Sequence, residues 1–179
     1  MEKRRVVITG LGAVTPIGHT APESWAAVRA GKCGVAPITR YNTENQKVKL
    51  AAEVKDWDPE SVLDKKEAKR MARYTQLAMA AAKEAVADSG LDLATGDPCR
   101  RGVIVSSGIG GLDVTEGEHS KGLEKGFDRV SPFYIPMAIS NMAAGLIAIA
   151  HNCKAMCTCP VTACAGGTNA VGDAFHYIR

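Results

Sequence analysis

The sequence predicts an α/β fold built on a largely parallel sheet, and three observations carry the prediction. Two short β-branched runs, Val6-Val7-Ile8-Thr9 and Val103-Ile104-Val105, each lead into glycines within a few residues. Between them Leu77, Ala78, Ala81, Ala82, Ala85 and Val86 recur at helical spacing and stop at Ser89-Gly90. Strands that alternate with helices are the pattern of a parallel sheet covered on its faces.

Taken in order, the first strand spans residues 6–9 and breaks at Gly10-Leu11-Gly12. A helix is predicted over residues 22–30, because Thr20 and Glu23 stand at capping-box spacing, Pro22 suits a first turn, and Gly31 follows Trp25, Ala26, Val28 and Ala30. Val48, Leu50, Ala52 and Val54 alternate with Lys47, Lys49, Ala51 and Glu53, the period of a half-buried strand at a sheet edge. The strongest helix covers residues 74–88, and a second buried strand covers residues 102–106. Residues 117–129 are polar and glycine-rich and read as a loop, whereas residues 136–150 are apolar, small and read as one buried helix. No repeat, linker or low-complexity tract marks an internal boundary, so residues 1–179 read as one region.

The bulk properties exclude several classes. Hydrophobic residues make up 46% and charged residues 23% of 179, the balance of a soluble globular protein. A net charge of +3 is too small to argue for nucleic acid. The longest uncharged apolar stretch, residues 142–150, falls well short of the roughly 20 residues a membrane span needs. The opening run passes directly into a strand and is not a signal peptide, so a cytoplasmic location is expected. Cys33, Cys99, Cys153, Cys157, Cys159 and Cys164 are irregularly spaced, and reduced thiols are expected.

Neither glycine cluster has nucleotide-binding spacing. After Gly10 and Gly12 the third small residue is replaced by Thr15, after Gly108 and Gly110 it is replaced by Asp113, and no Gly-Lys-Ser/Thr element occurs. Cys153, Cys157 and Cys159 with His151 have spacings that fit no common structural zinc site. No metal and no cofactor is expected, and this stretch reads as a strand leading toward position 164.

The segment around Cys164 has the pattern of a nucleophile. Small residues, Val161-Thr162-Ala163, lead into a lone cysteine; Gly166-Gly167 follow, and then Val171, Ala174, Phe175 and Ile178 repeat at helical spacing. This places Cys164 where a strand turns into a helix. There, unpaired N–H groups and the positive end of the helix dipole favour a thiolate, and can hold an oxyanion as a thioester carbonyl is attacked. On spacing alone, a small buried core cysteine fits the same pattern.

Four stretches together resemble the β-ketoacyl-acyl carrier protein synthase family, of the synthase II type, over its N-terminal portion. They are residues 6–18 (beginning Val6-Val7-Ile8-Thr9-Gly10-Leu11-Gly12); Ser106-Ser107-Gly108-Ile109-Gly110-Gly111; Ser131-Pro132-Phe133-Tyr134 with Asn141-Met142-Ala143-Ala144-Gly145; and Thr162-Ala163-Cys164-Ala165-Gly166-Gly167. The resemblance implies a thiolase-like layered αβαβα fold, present here as an incomplete first half-domain. It implies that Cys164 takes an acyl group from acyl carrier protein and that malonyl-carrier protein is decarboxylated to the attacking carbanion. Ile109, Phe133 and Tyr134 are implied to line the acyl pocket, in an enzyme that forms a homodimer. Plain core packing of these three is the other reading. Lys65, Lys66, Lys69 and Arg70, with Arg73 beside them and Arg129 in the polar loop, are implied to receive the acidic carrier protein; a solvated helix face gives the same composition.

The resemblance also implies two catalytic histidines, a lysine and a second oxyanion donor from a later half that these 179 residues do not contain. His19, His119, His151 and His176 match none of those motifs and are expected to be structural or on the surface. The expectation is therefore a partial chain, inactive alone in condensation. The alternatives are a type II polyketide ketosynthase, or a non-catalytic remnant that binds carrier protein or pairs with an intact subunit.

Overall fold

The computed structural model describes residues 4–179; Met1, Glu2 and Lys3, part of the opening run, lie outside the described residues. Along the chain come helix α1 (Ala21–Arg29), strands β1 (Val35–Pro37) and β2 (Leu50–Ala52), helices α2 (Lys65–Ala68) and α3 (Arg73–Ser89) and strand β3 (Val103–Ile104). Helices α4 (Leu112–Lys125), α5 (Tyr134–Ala138) and α6 (Met142–Ala150), strand β4 (Cys157–Thr158) and helix α7 (Gly166–Ile178) follow.

Strands β3 and β4 pair in parallel, Val103 opposite Cys157 and Ile104 opposite Thr158. The pairing extends beyond the strands: the Ala155 N–H donates to the Arg101 carbonyl (2.9 Å), the Val103 N–H to Met156 (2.8 Å) and the Val105 N–H to Thr158 (3.2 Å). Strands β1 and β2 form a separate antiparallel ribbon. The core lies where α3 packs on α6, which in turn covers β3. Met71, Met79, Val103, Ala144, Ile147 and Ala148 form its buried cluster, and Ala143 and Ala144 are fully enclosed. Burying a Met or Ile side chain contributes about 2 kcal/mol relative to leaving it exposed, so this helix pair is the main apolar anchor of the chain.

The helix ends follow the sequence closely. In α1 the Thr20 hydroxyl accepts the Glu23 N–H (3.2 Å), while the Glu23 carboxylate accepts the N–H of His19 (2.8 Å), one residue earlier than a reciprocal box requires. Helix α3 ends at Gly90 in the left-handed conformation (φ +66°), as Ser89-Gly90 predicts.

Four expectations are corrected. Residues 6–9 form no strand, and Val7 and Ile8 are 58% and 77% exposed. The chain just beyond is fastened to α3 instead. The Leu11 N–H donates to the Asp88 carboxylate (2.8 Å), and the Ala13 and Ala21 N–H groups donate to the two oxygens of Glu84 (2.9 Å each). A Cβ on Gly10 would collide with the Ala85 carbonyl, and one on Gly12 with the Ala81 carbonyl, so the two glycines serve close packing on a helix.

The alternation over residues 47–54 does give a strand, but Val48 and Leu50 face outward (69% and 56% exposed) and Ala51 faces inward. Among the described residues no second layer covers that face of the two-stranded ribbon, so the apolar set is not drawn in.

Residues 117–129 are mostly helical, within α4 and a 3-10 turn at Phe127–Arg129. Gly117 and Gly122 cost about 1 kcal/mol each in a helix. The Phe127 ring packs against buried Gly122 where a side chain would stand, and the Glu118 carboxylate accepts the Ser131 N–H (2.7 Å), so tertiary contacts override propensity.

Residues 136–150 form two helices, not one, broken at residues 139–141. The carbonyls around the break find outside donors: Gly111 N–H to Ala138 (2.8 Å), Tyr74 O–H to Ile139 (2.6 Å) and the Cys159 thiol to Ser140 (3.4 Å). With those carbonyls satisfied, continuing the helix gains nothing.

The chain exposes 12089 Å², whereas a compact globular chain of this mass exposes about 8,000 Å². Among the described residues no helix is long and apolar enough to cross a membrane.

Gly12→Ala is expected to lower stability by about 1–3 kcal/mol through overpacking against α3. Gly117→Ala, which faces open space in α4, is expected to raise it by up to about 1 kcal/mol. Urea unfolding midpoints of the two variants check both signs.

Candidate active site around Cys164

Beyond β4 the chain passes through Pro160, Val161 and Thr162 into a 3-10 turn, Ala163–Ala165, that opens directly into α7. Cys164 therefore stands between a strand and the amino end of a 13-residue helix, as the sequence predicts, and its thiol is free and exposed. It is not the buried core cysteine that the same spacing allowed.

The turn is sharp. Ala163 has φ +47°, a left-handed conformation that costs a residue with a Cβ on the order of 1 kcal/mol and persists only where neighbours enforce it. The Ala165 N–H donates to Thr162 (3.1 Å) and the Gly166 N–H to Ala163, whereas the Cys164 N–H has no protein acceptor among the described residues. Gly166 is buried against Ser106, and a Cβ there would collide with the Ser106 hydroxyl. Glycine is therefore required for the first turn of α7 to lie on the end of β3.

Cys164 opens on a cleft of about 740 Å³ lined by Ser107, Gly108, Ile109, Gly110, Leu112, Val161 and Ala163. The Gly110 N–H donates to the Ser107 hydroxyl (3.0 Å), which shapes the turn after β3. Three branched apolar residues, Ile109, Leu112 and Val161, line the cleft onto which the Cys164 thiol opens. Such a site suits an acyl thioester: hydrocarbon against the walls, carbonyl oxygen toward the amide hydrogen, carbonyl carbon toward sulfur.

Of the sequence-predicted residues, Ile109 joins Cys164 in this cleft and is 69% exposed. Phe133 and Tyr134 do not line it. Phe133 lies under the Arg70 guanidinium (4.8 Å to the ring centroid), and the Tyr134 hydroxyl approaches that of Thr115 (3.5 Å). One residue predicted for the acyl pocket thus meets one predicted for docking.

Lys65, Lys66, Lys69 and Arg70 are all exposed, on or just after α2, and Arg129 is exposed at the end of the 3-10 turn after α4. Lys65 pairs with Glu60 (3.0 Å) and Arg129 with Asp128 (3.6 Å), exposed pairs that contribute little to stability. The more buried Arg73 donates to the Val54 carbonyl (2.8 Å), and burial followed by the nearby Arg40 charge lowers its pKa.

Among the described residues no histidine lines the Cys164 cleft. His151 bonds the Ile147 carbonyl through Nδ1 (3.0 Å), a structural role. Cys153 provides a contrast to Cys164: burial pushes its thiol pKa up, which makes it a poor nucleophile.

Ser106, Ser107, Leu112 and Val161 were assigned no role from sequence. No spacing rule connects positions near 107 with positions near 162; the parallel pairing of β3 with β4 brings them together.

These features define a class: an α/β protein with an exposed thiol at a strand-to-helix elbow beside an apolar cleft. Residues 3–179 match the family described as beta-ketoacyl synthase, N-terminal domain, and the chain belongs to that family. It is 46% identical over 179 residues to 3-oxoacyl-(acyl-carrier-protein) synthase 2 of Synechocystis, covering 100% of this chain and 43% of the relative. Against the protein of the same name from Staphylococcus aureus it is 45% identical over 178 residues, covering 99% and 43%.

Among solved structures, the ishigamide ketosynthase/chain length factor superposes with a TM-score of 0.80 at 29% identity, over 96% of this chain and 45% of that one. A beta-ketoacyl synthase from Burkholderia phymatum superposes with 0.75 at 25% identity, over 98% and 44%. A type II PKS ketosynthase in complex with its acyl-carrier protein shares the fold alone, with a TM-score of 0.80 at 20% identity. The fold is thus the thiolase-like α/β architecture of ketosynthases, and the chain spans less than half the length of the relatives it matches.

The Glu118 carboxyl is held below its ordinary value of 4.5, chiefly by the Ser131 N–H, where it fastens the loop leading to Phe133. A depressed folded-state pKa contributes stability that is present above the unfolded value and lost as pH falls through the folded one. Stability is therefore expected to decline below about pH 4.5. Glu118→Gln should show a shallower decline over that window in urea midpoints measured against pH.

Proposed function

We propose that the chain is the N-terminal region of a β-ketoacyl-acyl carrier protein synthase that elongates fatty acyl chains by decarboxylative condensation. The observation that carries the reading is the exposed Cys164 at the elbow before α7, with its own N–H free and Ile109 beside it. In the first half-reaction the Cys164 sulfur attacks the acyl thioester carbonyl. A new carbon–sulfur bond forms, the bond to the carrier's sulfur breaks, and the carrier leaves as its thiol. In the second, malonyl-carrier protein loses carbon dioxide, and the resulting carbanion attacks the Cys164 thioester and releases the enzyme thiolate. The Cys164 N–H, which lacks another acceptor, is proposed to hold the oxyanion in both.

The fatty acid pathway is supported by the names of the relatives that are 45–46% identical. Polyketide synthesis is the second reading, supported by the structural likeness to the ishigamide ketosynthase/chain length factor at 29% identity. In either, the partner is acyl carrier protein, the substrates are acyl and malonyl thioesters, the active species is a cytoplasmic homodimer, and no cofactor takes part. Phe133 and Tyr134 are proposed to bound the acyl group further from Cys164. Lys65, Lys66, Lys69, Arg70 and Arg129 are proposed to steer the acidic carrier. Residues 1–179 are proposed to load an acyl group without condensing it.

Treatment with cerulenin, a thiol-reactive acyl analogue, is expected to modify Cys164 alone among the six cysteines, read by peptide mass spectrometry. Labelling spread over the exposed cysteines, or none at Cys164, would remove the catalytic reading. Condensation by the 179-residue chain alone would remove the claim that it only loads.

Lys69→Glu is expected to weaken acyl carrier protein binding about five- to tenfold at low salt, with the difference closing as ionic strength rises. Unchanged affinity at low salt would take Lys69 out of the interface.

A further inference from the structure

A second thiol lies on the same loop as Cys164, and acyl transfer gives it no role. Cys159 follows β4 directly, is half-buried, and is five residues before Cys164. Its S–H donates to the Ser140 carbonyl at 3.4 Å, with the Ser107 carbonyl as a longer alternative at 4.0 Å.

Those two carbonyls belong to the surroundings of the cleft. Ser107 lines it, and its hydroxyl accepts the Gly110 N–H (3.0 Å). Ser140 lies in the break between α5 and α6, whose neighbouring Ala138 carbonyl accepts the Gly111 N–H (2.8 Å). Cys159 therefore touches both segments that face the nucleophile loop, and it does so from within that loop.

The loop has little else to hold it there. Pro160 has no N–H, and among the described residues no backbone hydrogen bond joins residues 159–162 to either neighbouring segment. The one backbone bond of that stretch is internal, from the Ala165 N–H to Thr162. Packing of Gly166 on Ser106 fixes the far end of the turn. At the near end the last backbone bond is the Val105 N–H to the Thr158 carbonyl (3.2 Å), and beyond it the hold comes from a side chain.

We infer that Cys159 is a positioning residue, a weak thiol donor that fastens the near end of the nucleophile loop to the two backbone segments facing it and so sets where Cys164 meets a bound acyl group. This rests on the reading of Cys164 as the acyl-carrying nucleophile, and the test separates the two.

The test compares the 179-residue chain with its Cys159→Ala and Cys159→Ser variants, mapping adducts by mass spectrometry. Cerulenin must enter the cleft in register, whereas iodoacetamide needs only an exposed sulfur. Cys159→Ala is expected to slow cerulenin labelling of Cys164 roughly fivefold, the scale of one hydrogen bond, and to leave iodoacetamide rates at Cys164 and at exposed Cys99 unchanged. Cys159→Ser, which keeps a donor, is expected to return the cerulenin rate to within about twofold of the parent.

A parent-like cerulenin rate in Cys159→Ala overturns the inference, as does a serine variant as slow as the alanine one. Faster iodoacetamide labelling of half-buried Cys153 in the alanine variant also overturns it, because it marks general loosening of the fold. If the parent itself takes no cerulenin at Cys164, the nucleophile reading fails first and this one falls with it.

Discussion

The parallel contact between β3 and β4 is short, two residues on each strand, yet the site depends on it. The strands themselves carry no chemistry. Their carboxyl ends deliver two turns to one place, the glycine-containing residues 107–110 from one strand and residues 161–164 from the other. Parallel pairing makes this possible, because both strands end at the same edge, where an antiparallel pair would send the two turns to opposite edges. A parallel pair also needs a long connection, supplied here by α4, α5 and α6. The last of these packs on both strands and on α3, so the core and the site share one support.

Much of this was readable in the residues, and the failures have identifiable causes. Cys164 was found because its signal is local: small residues, a lone thiol, glycines and a helical repeat are all contiguous. The helix ending at Gly90 was found for the same reason. Residues 6–9 have strand-like composition, but a strand exists only where a neighbour accepts its ladder, and here the donors just beyond are taken by Glu84 and Asp88. The glycines of α4 argue for a loop until Phe127 packs beneath Gly122. The interruption between α5 and α6 follows from three donors on distant segments, none of which is visible in the apolar run itself. The cleft walls Leu112 and Val161 were missed because their proximity is a property of strand pairing.

The cysteines show how one residue type divides among environments. Burial makes the Cys153 thiol reluctant to ionise. Cys159 spends its single proton on backbone carbonyls. Cys164 is open to solvent and lies where a helix begins. Of these three, only Cys164 is exposed, and neither the count nor the spacing of cysteines distinguishes it from the other two. Cys164 directly follows the left-handed turn at Ala163, at the strand-to-helix elbow where its thiol stands exposed.

The large exposed area has a thermodynamic consequence. The heat-capacity increment of unfolding scales with the apolar surface newly wetted, and a fully compact chain of this length would show about 2.3 kcal/mol/K. The 179 residues taken on their own leave Ile8, Ile149 and Val171 already in water and wet less on melting, so their increment and melting enthalpy are both smaller. Their stability then changes gently with temperature. A small melting entropy also means that each contact added or removed moves the thermal midpoint further than in a well-covered domain of equal size.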